Sequence, residues 1–235
     1  MASGYRQFCP VAKASEVFAT RWTPLVLREL MSGERTFNDI HRGVPLMSRA
    51  LLVERLHQLE GHKIIEKTRR ADGNGHDYRL TAAGNALRPI VEDLGRWGLA
   101  YGCDPLKVDD NDPATLMWTL RHRVDRSSLP DRRVVVRFEF RGVPALRAQT
   151  PVWWLILNRS DVSVSPRNPG VPADITIGCD VGTMIAVYLG AVTWREITGE
   201  TLRIEGSREL ADVLPTWLRL DKRIGHDMPV IPPAA

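Results

Sequence analysis

The sequence predicts an α+β chain of two domains. The first is mostly helical and carries a two-stranded hairpin; the second is built on an antiparallel sheet with helices on one side. Three observations predict this. The 235 residues are 43% apolar and 26% charged, a composition of packed domains in a chain longer than one minimal module. Helical periodicity runs to about Tyr101, is broken by Gly102-Cys103-Asp104-Pro105, and gives way to strand-like runs. The positive excess lies wholly in the first part: residues 1–102 hold 15 Lys+Arg against 11 Asp+Glu, and the rest hold 17 of each. The expected domains are therefore 1–102 and 113–228, with a linker at 103–112 and a proline-rich, flexible tail at 229–235.

Each element of the first domain has a local cause. Pro10 opens a first helix, where its missing N–H costs nothing, and Val11, Ala14, Val17 and Phe18 recur at helical spacing. A second helix from Pro24 carries Leu25, Val26, Leu27 and Leu30 and stops at Ser32-Gly33. Thr36-Phe37-Asn38-Asp39 is a capping-box pattern for a short third helix. Ser48 caps a fourth, in which Leu51, Leu52, Leu56 and Leu59 form one apolar stripe. Ile64 to Arg69 and Asp77 to Leu80 read as strands around the turn Asp72-Gly73-Asn74-Gly75. Thr81 is expected to cap a long last helix through Trp97.

In the second domain, Asp112-Pro113 precedes a helix over 114–123. Strand-like runs follow at 134–140, 152–157, 162–164 and 174–179. Asp180 caps a helix ended by Gly190, and Thr193-Trp194-Arg195-Glu196 is a second capping box. A brief strand at 202–204 leads to a helix from Ser207 through Leu218.

Helix, helix, helix-turn-helix, two-stranded wing and helix is the order of a winged helix-turn-helix, and the fourth helix is its expected reading element. The leucine stripe leaves Ser48, Arg49, Val53, Glu54 and His57 on other faces. Arg49 is the leading candidate for base contact, because a guanidinium donates two hydrogen bonds to guanine O6 and N7. Arg35, Thr36 and Asn38 stand where backbone N–H groups meet phosphates. Arg69, Arg70 and His76 flank the wing turn. Singly, each of these side chains also reads as an ordinary solvated group; the pattern as a whole favours double-stranded DNA. Leu87, Ile90, Val91, Leu94 and Trp97 recur at near-heptad spacing. They either pack on their own domain or pair with a second copy in a homodimer, which sets two reading helices about 34 Å apart.

Cys9-Pro10-Val11-Ala12, Arg21-Trp22-Thr23, Leu27-Arg28-Glu29-Leu30, Arg35 to Ile40, Ser48 to Leu59 and Tyr78 to Gly84 together resemble the HxlR family of bacterial regulators over about residues 8–98. The resemblance implies a dimer on an inverted repeat near promoters, often a repressor. It also implies oxidant or electrophile sensing at Cys9; the residue equally reads as a small buried hydrophobe. Val53 and Asn74-Gly75-His76 depart from the family pattern, which puts the operator sequence in question.

From Val152 to about Leu218 the chain resembles the sterol-carrier-protein-like fold, known for an apolar tunnel. That resemblance implies a hydrophobic small-molecule effector, with Trp118, Phe138, Trp153, Trp154, Tyr188 and Trp194 as candidate pocket residues; the same rings also read as core. Arg137, Arg141 and Arg147 are candidates to meet a carboxylate.

No cofactor, metal or catalytic residue is expected. His41, His57, His62, His76, His122 and His226 form no ligand spacing with Cys9, Cys103 and Cys179. No nucleophile elbow or phosphate-cradling loop is present. Neither a membrane span nor an export signal is read, so a cytoplasmic address is expected. Two alternatives stay open: a lipid-handling protein whose helix-turn-helix serves dimerisation, and an enzyme acting in the C-terminal pocket.

Overall fold

The computed structural model describes residues 4–102, 111–144, 150–199 and 201–220. They divide into two compact units, Met1–Tyr101 and Gly102–Ala235. Arg147 and Cys103, most of the expected linker and the whole expected tail lie outside the described residues.

In the first unit, α1 (Pro10–Phe18), α2 (Thr23–Met31), α3 (Phe37–Gly43) and α4 (Arg49–Gly61) precede the antiparallel hairpin of β1 (Ile65–Arg69) and β2 (His76–Leu80). The caps read from the sequence are in place. Thr36 accepts from the Asp39 N–H, Ser48 from that of Leu51, and Thr81 from that of Gly84, each meeting one of the donors a helix start leaves unpaired. Val26, Leu27, Leu30, Ile40, Leu52, Leu56, Leu59 and Ile65 build the core. A buried carboxylate secures two of the helices: Glu29, 1% exposed, pairs with Arg28, which donates from Nη2 to the Gly43 carbonyl at 2.9 Å.

The single long helix expected from Thr81 to Trp97 is instead two, α5 (Ala82–Ala86) and α6 (Arg88–Trp97), followed by a π-helical segment over Gly98–Gly102. Pro89 accounts for the break. It has no N–H to offer the preceding turn, and its ring collides with the carbonyl four residues back. The chain therefore restarts at Arg88 with the proline in the first turn, where it is tolerated.

The second unit runs α7 (Pro113–Arg123), β3 (Val134–Arg141), β4 (Val152–Leu157), β5 (Val162–Ser165), β6 (Ile175–Asp180), α8 (Val181–Leu189), α9 (Trp194–Ile197), β7 (Arg203–Gly206) and α10 (Arg208–Trp217). The sheet order is β5-β4-β3-β6-β7. It is not wholly antiparallel, as the sequence suggests: β3 and β6 are parallel, and the other three pairs are antiparallel. Asp174 stitches the parallel pair at its start. Its Oδ2 accepts from Val135 N at 2.8 Å, its N donates to Val135 O at 2.9 Å, and its Oδ1 meets Arg132 Nη1 at 2.9 Å. Helices α7 to α10 join one face of the sheet in one apolar cluster with Val134, Val136, Phe138, Leu155, Leu157, Ile175 and Ile177.

Candidate nucleic-acid interface

The reading helix α4 is amphipathic by position. Leu52, Leu56 and Leu59 are buried, whereas Ser48, Arg49, Val53 and His57 are exposed. Arg49, Val53 and His57 lie four residues apart in succession and therefore share one face.

Arg49 is held before any ligand arrives. Its Nη2 donates to Asn38 Oδ1 at 3.0 Å, and its guanidinium carbon lies 4.7 Å from the centroid of the Phe37 ring. Both partners come from the first turn of α3, so the turn between the helices fixes where the arginine points. A guanidinium has five donors, and one contact to Asn38 leaves a donor pair for a base edge. Phe37 also stacks on His41, 6.2 Å between ring centres.

Other candidates divide by what already occupies them. Thr36 is half-buried, and its hydroxyl is committed to Asp39, donating to Oδ2 and accepting from N. Ser48 accepts from Leu51 N and is likewise a cap. Arg35 is exposed; its carbonyl accepts from Tyr78 N at 2.8 Å, and Thr36 bridges Asp77, so the start of α3 is tied to β2. In the wing, Arg69 and His76 are cross-strand partners and both are exposed. Arg70 pairs with Asp72 at 3.0 Å. Gly73 and Gly75 have φ of 73° and 96°, a left-handed turn that a side chain would strain. Burial, then the nearby Glu60, pushes the Tyr78 phenol above its ordinary value, which keeps that strand residue neutral.

Helix α6 presents its candidate positions on two sides. Leu87 and Val91 pack on the domain core. Ile90, Leu94 and Trp97 are 48%, 45% and 58% exposed, and Tyr101 continues their spacing, with Trp97 and Tyr101 6.1 Å apart. Phe8 and Val11, at the start of α1, are exposed as well. Cys9 is the N-cap residue of α1 and half-buried.

In the second unit the six candidate pocket aromatics do not share one lining. Trp118, Phe138 and Trp194 are buried, the last two inside the apolar cluster of the sheet, and Trp153 and Tyr188 pack against that cluster. Trp154 follows Trp153 on β4 and so projects to the other face, where the Arg137 guanidinium lies 6.0 Å from its ring centre. A cleft of about 320 Å³ opens among Glu139, Phe140, Arg141, Pro151, Val152, Gly178 and Arg203, and none of the six rings lines it. Among the described residues no cluster of His, Cys, Asp and Glu is arranged to hold a metal, and no helix is long and apolar enough to cross a membrane.

Sequence reasoning missed the Asn38–Arg49 contact, the ring beneath the arginine, and the burial of Arg55 on α4. The second had a signal in Phe37 beside the helix cap. The last had none, because an arginine among leucines reads as solvated.

Tied helix caps, a reading helix and a hairpin wing define a winged helix-turn-helix DNA-binding protein. Residues 17–104 match the HxlR-like helix-turn-helix family. The chain is 30% identical over 105 residues to the uncharacterized HTH-type transcriptional regulator YvaP of Bacillus subtilis, across 44% of this chain and 96% of that protein. It is 30% identical over 99 residues to the HTH-type transcriptional regulator YodB of the same organism, across 41% and 88%. A solved structure of reduced YodB covers 43% of this chain and all of its own, with 28% identity and a TM-score of 0.37. The chain belongs to the HxlR-like helix-turn-helix family and is a transcription regulator of that type.

Proposed function

We propose that the chain is a homodimeric repressor that reads an inverted repeat in double-stranded DNA with the exposed face of α4. The observation that carries this reading is Arg49. It stands at the first turn of α4 and is held by Asn38 and Phe37, so its guanidinium reaches the groove with part of its ordering already done. The wing, with Arg69 and His76 opposite one another, supplies sequence-independent backbone contact. Ile90, Leu94, Trp97 and Tyr101, with Phe8 and Val11, supply the apolar surface that a second copy would cover. Repression follows by occupancy of promoter DNA. Cys9, at the start of α1 beside that surface in sequence, is assigned the role of electrophile sensor.

An apolar effector in the C-terminal domain is proposed on its resemblance to sterol carriers. Trp153 and Tyr188, half-buried at the margin of the core, and Trp154, half-buried on the other face of the sheet, are the candidate rings with surface left to meet such a molecule.

The test is fluorescence anisotropy with duplexes tiled across the DNA upstream of its own gene, at fixed salt. The expected result is one segment bound about 10³-fold or more above random duplex. Uniform binding to every segment, with uptake of an apolar molecule, would favour a lipid-handling protein instead.

A further inference from the structure

Arg55 sits on the reading helix but faces the interior. It is 7% exposed, and among the described residues its one partner is the neutral Gln58, whose Oε1 accepts from Nη1 at 2.5 Å. Its Nε is buried with no partner among the described residues. No carboxylate in the described residues pairs with it. Glu16 is occupied by Tyr5 N at 2.9 Å and Lys13 Nζ at 3.2 Å, and Glu54 by Gln58 Nε2 at 3.0 Å. A guanidinium taken out of water is ordinarily matched by an anion, because a neutral partner does not offset the loss of hydration.

The space beside it is open. A cleft of about 730 Å³ lies between α1 and α4, with Tyr5, Ala19 and the Lys13-paired Glu16 on one side and Arg55, Gln58, His62 and the Gln58-bonded Glu54 on the other. A narrow neighbouring cavity of about 20 Å³ shares Arg55, Gln58 and His62 and reaches Thr23. The Thr23 hydroxyl is fully buried and likewise has no partner among the described residues. Arg55 thus borders both spaces behind the helix that carries Arg49, and the orphaned Thr23 hydroxyl borders the narrow one.

We infer that this cleft is a binding site for a small organic carboxylate, with Arg55 as its recognition residue. Gln58 occupies Nη1 and Nε is buried, so Nη2 is the guanidinium donor left for a carboxylate oxygen, in a charge-assisted hydrogen bond. Tyr5 and Ala19 face the organic part. The ligand bridges α1 to α4 and thereby favours one placement of the reading helix, which is the physical requirement for an effector. Carboxylate binding at Arg55 does not depend on DNA binding, so the two fail separately.

The test uses the full chain, ¹⁵N-labelled, titrated with benzoate, with benzamide as the neutral isostere and inorganic phosphate as a second anion. Benzoate is expected to bind saturably and move the Arg55 Nε–H resonance, at least about 10-fold more tightly than benzamide or phosphate. Arg55→Gln is expected to abolish this binding. Ala19→Trp, at an exposed position, is expected to do the same by filling the cleft, whatever Arg55→Gln does to folding. Equal binding of benzoate and benzamide, stronger binding of phosphate, an unmoved Arg55 resonance or undiminished binding by Ala19→Trp would each overturn the assignment.

Discussion

Replacing Arg49 separates base reading from simple charge. Arg49→Ala removes a bidentate guanine contact worth about 1–3 kcal/mol, which is about 5–150-fold in Kd for the operator. Its own fold loses one exposed hydrogen bond to Asn38 and a contact with Phe37, together about 1 kcal/mol, so the protein stays folded. Arg49→Lys keeps the charge and loses the fork, and is expected to fall nearly as far on the operator while binding scrambled duplex as before. Asn38→Ala frees the guanidinium without removing it, and is expected to cost less than Arg49→Ala. Arg70→Ala, in the wing, is expected to weaken operator and scrambled duplex alike and to lower the salt slope by about 1. Anisotropy titrations at two or more salt concentrations read all four variants. An Arg49→Lys protein as selective as the parent, or equal loss on both duplexes for Arg49→Ala, would refute the assignment of base reading to this residue.

Three further outcomes follow from packing and burial. A Cβ on Gly84 would lie 2.2 Å from the Ile64 carbonyl oxygen and 2.9 Å from Leu80 Cδ2. That carbonyl is held by Thr81 N, so Gly84→Ala is expected to cost about 1–3 kcal/mol in a urea melt; an unchanged midpoint would contradict the close approach. Leu94→Asp puts a charge in the exposed face of α6 and is expected to shift the dimer to monomer in light scattering, with the dimer intact if that face is not the interface. Burial, then the adjacent Asp180, pushes the Cys179 thiol up to about 12 from 9.0. The folded state keeps a proton that the unfolded chain loses above about pH 9, so stability falls from there until about pH 12, by about 1.4 kcal/mol at pH 10. Cys179→Val should lose that part of the alkaline slope, and an identical slope in both proteins would count against it.

Much of the DNA-binding domain was legible because its signals are local. Ser48, Thr36 and Thr81 cap the helices assigned to them, and Gly73-Asn74-Gly75 turns the wing. Each satisfies backbone groups or a backbone angle within four residues. The break at Leu87 was equally local, written in Pro89, and so was the divergence of Trp153 and Trp154, which a period of two places on opposite faces. In both cases a run of apolar residues hid a stereochemical rule.

The sequence by itself determined the helix starts, the hairpin, the leucine stripe of α4 and hence the winged reading head. Only the tertiary structure decided that β6 lies parallel to β3, that Arg49 rests on Phe37 and Asn38, and that Arg55 is buried. The parallel pair depends on Asp174 reaching Val135, 39 residues away, and Arg49 meets a partner 11 residues off in another helix. Arg55 faces α1 across a cleft, a neighbourhood that the spacing of residues within α4 does not encode. Caps and turns are satisfied inside one turn of chain; strand order and the burial of a charge depend on which distant segments the folded chain brings together.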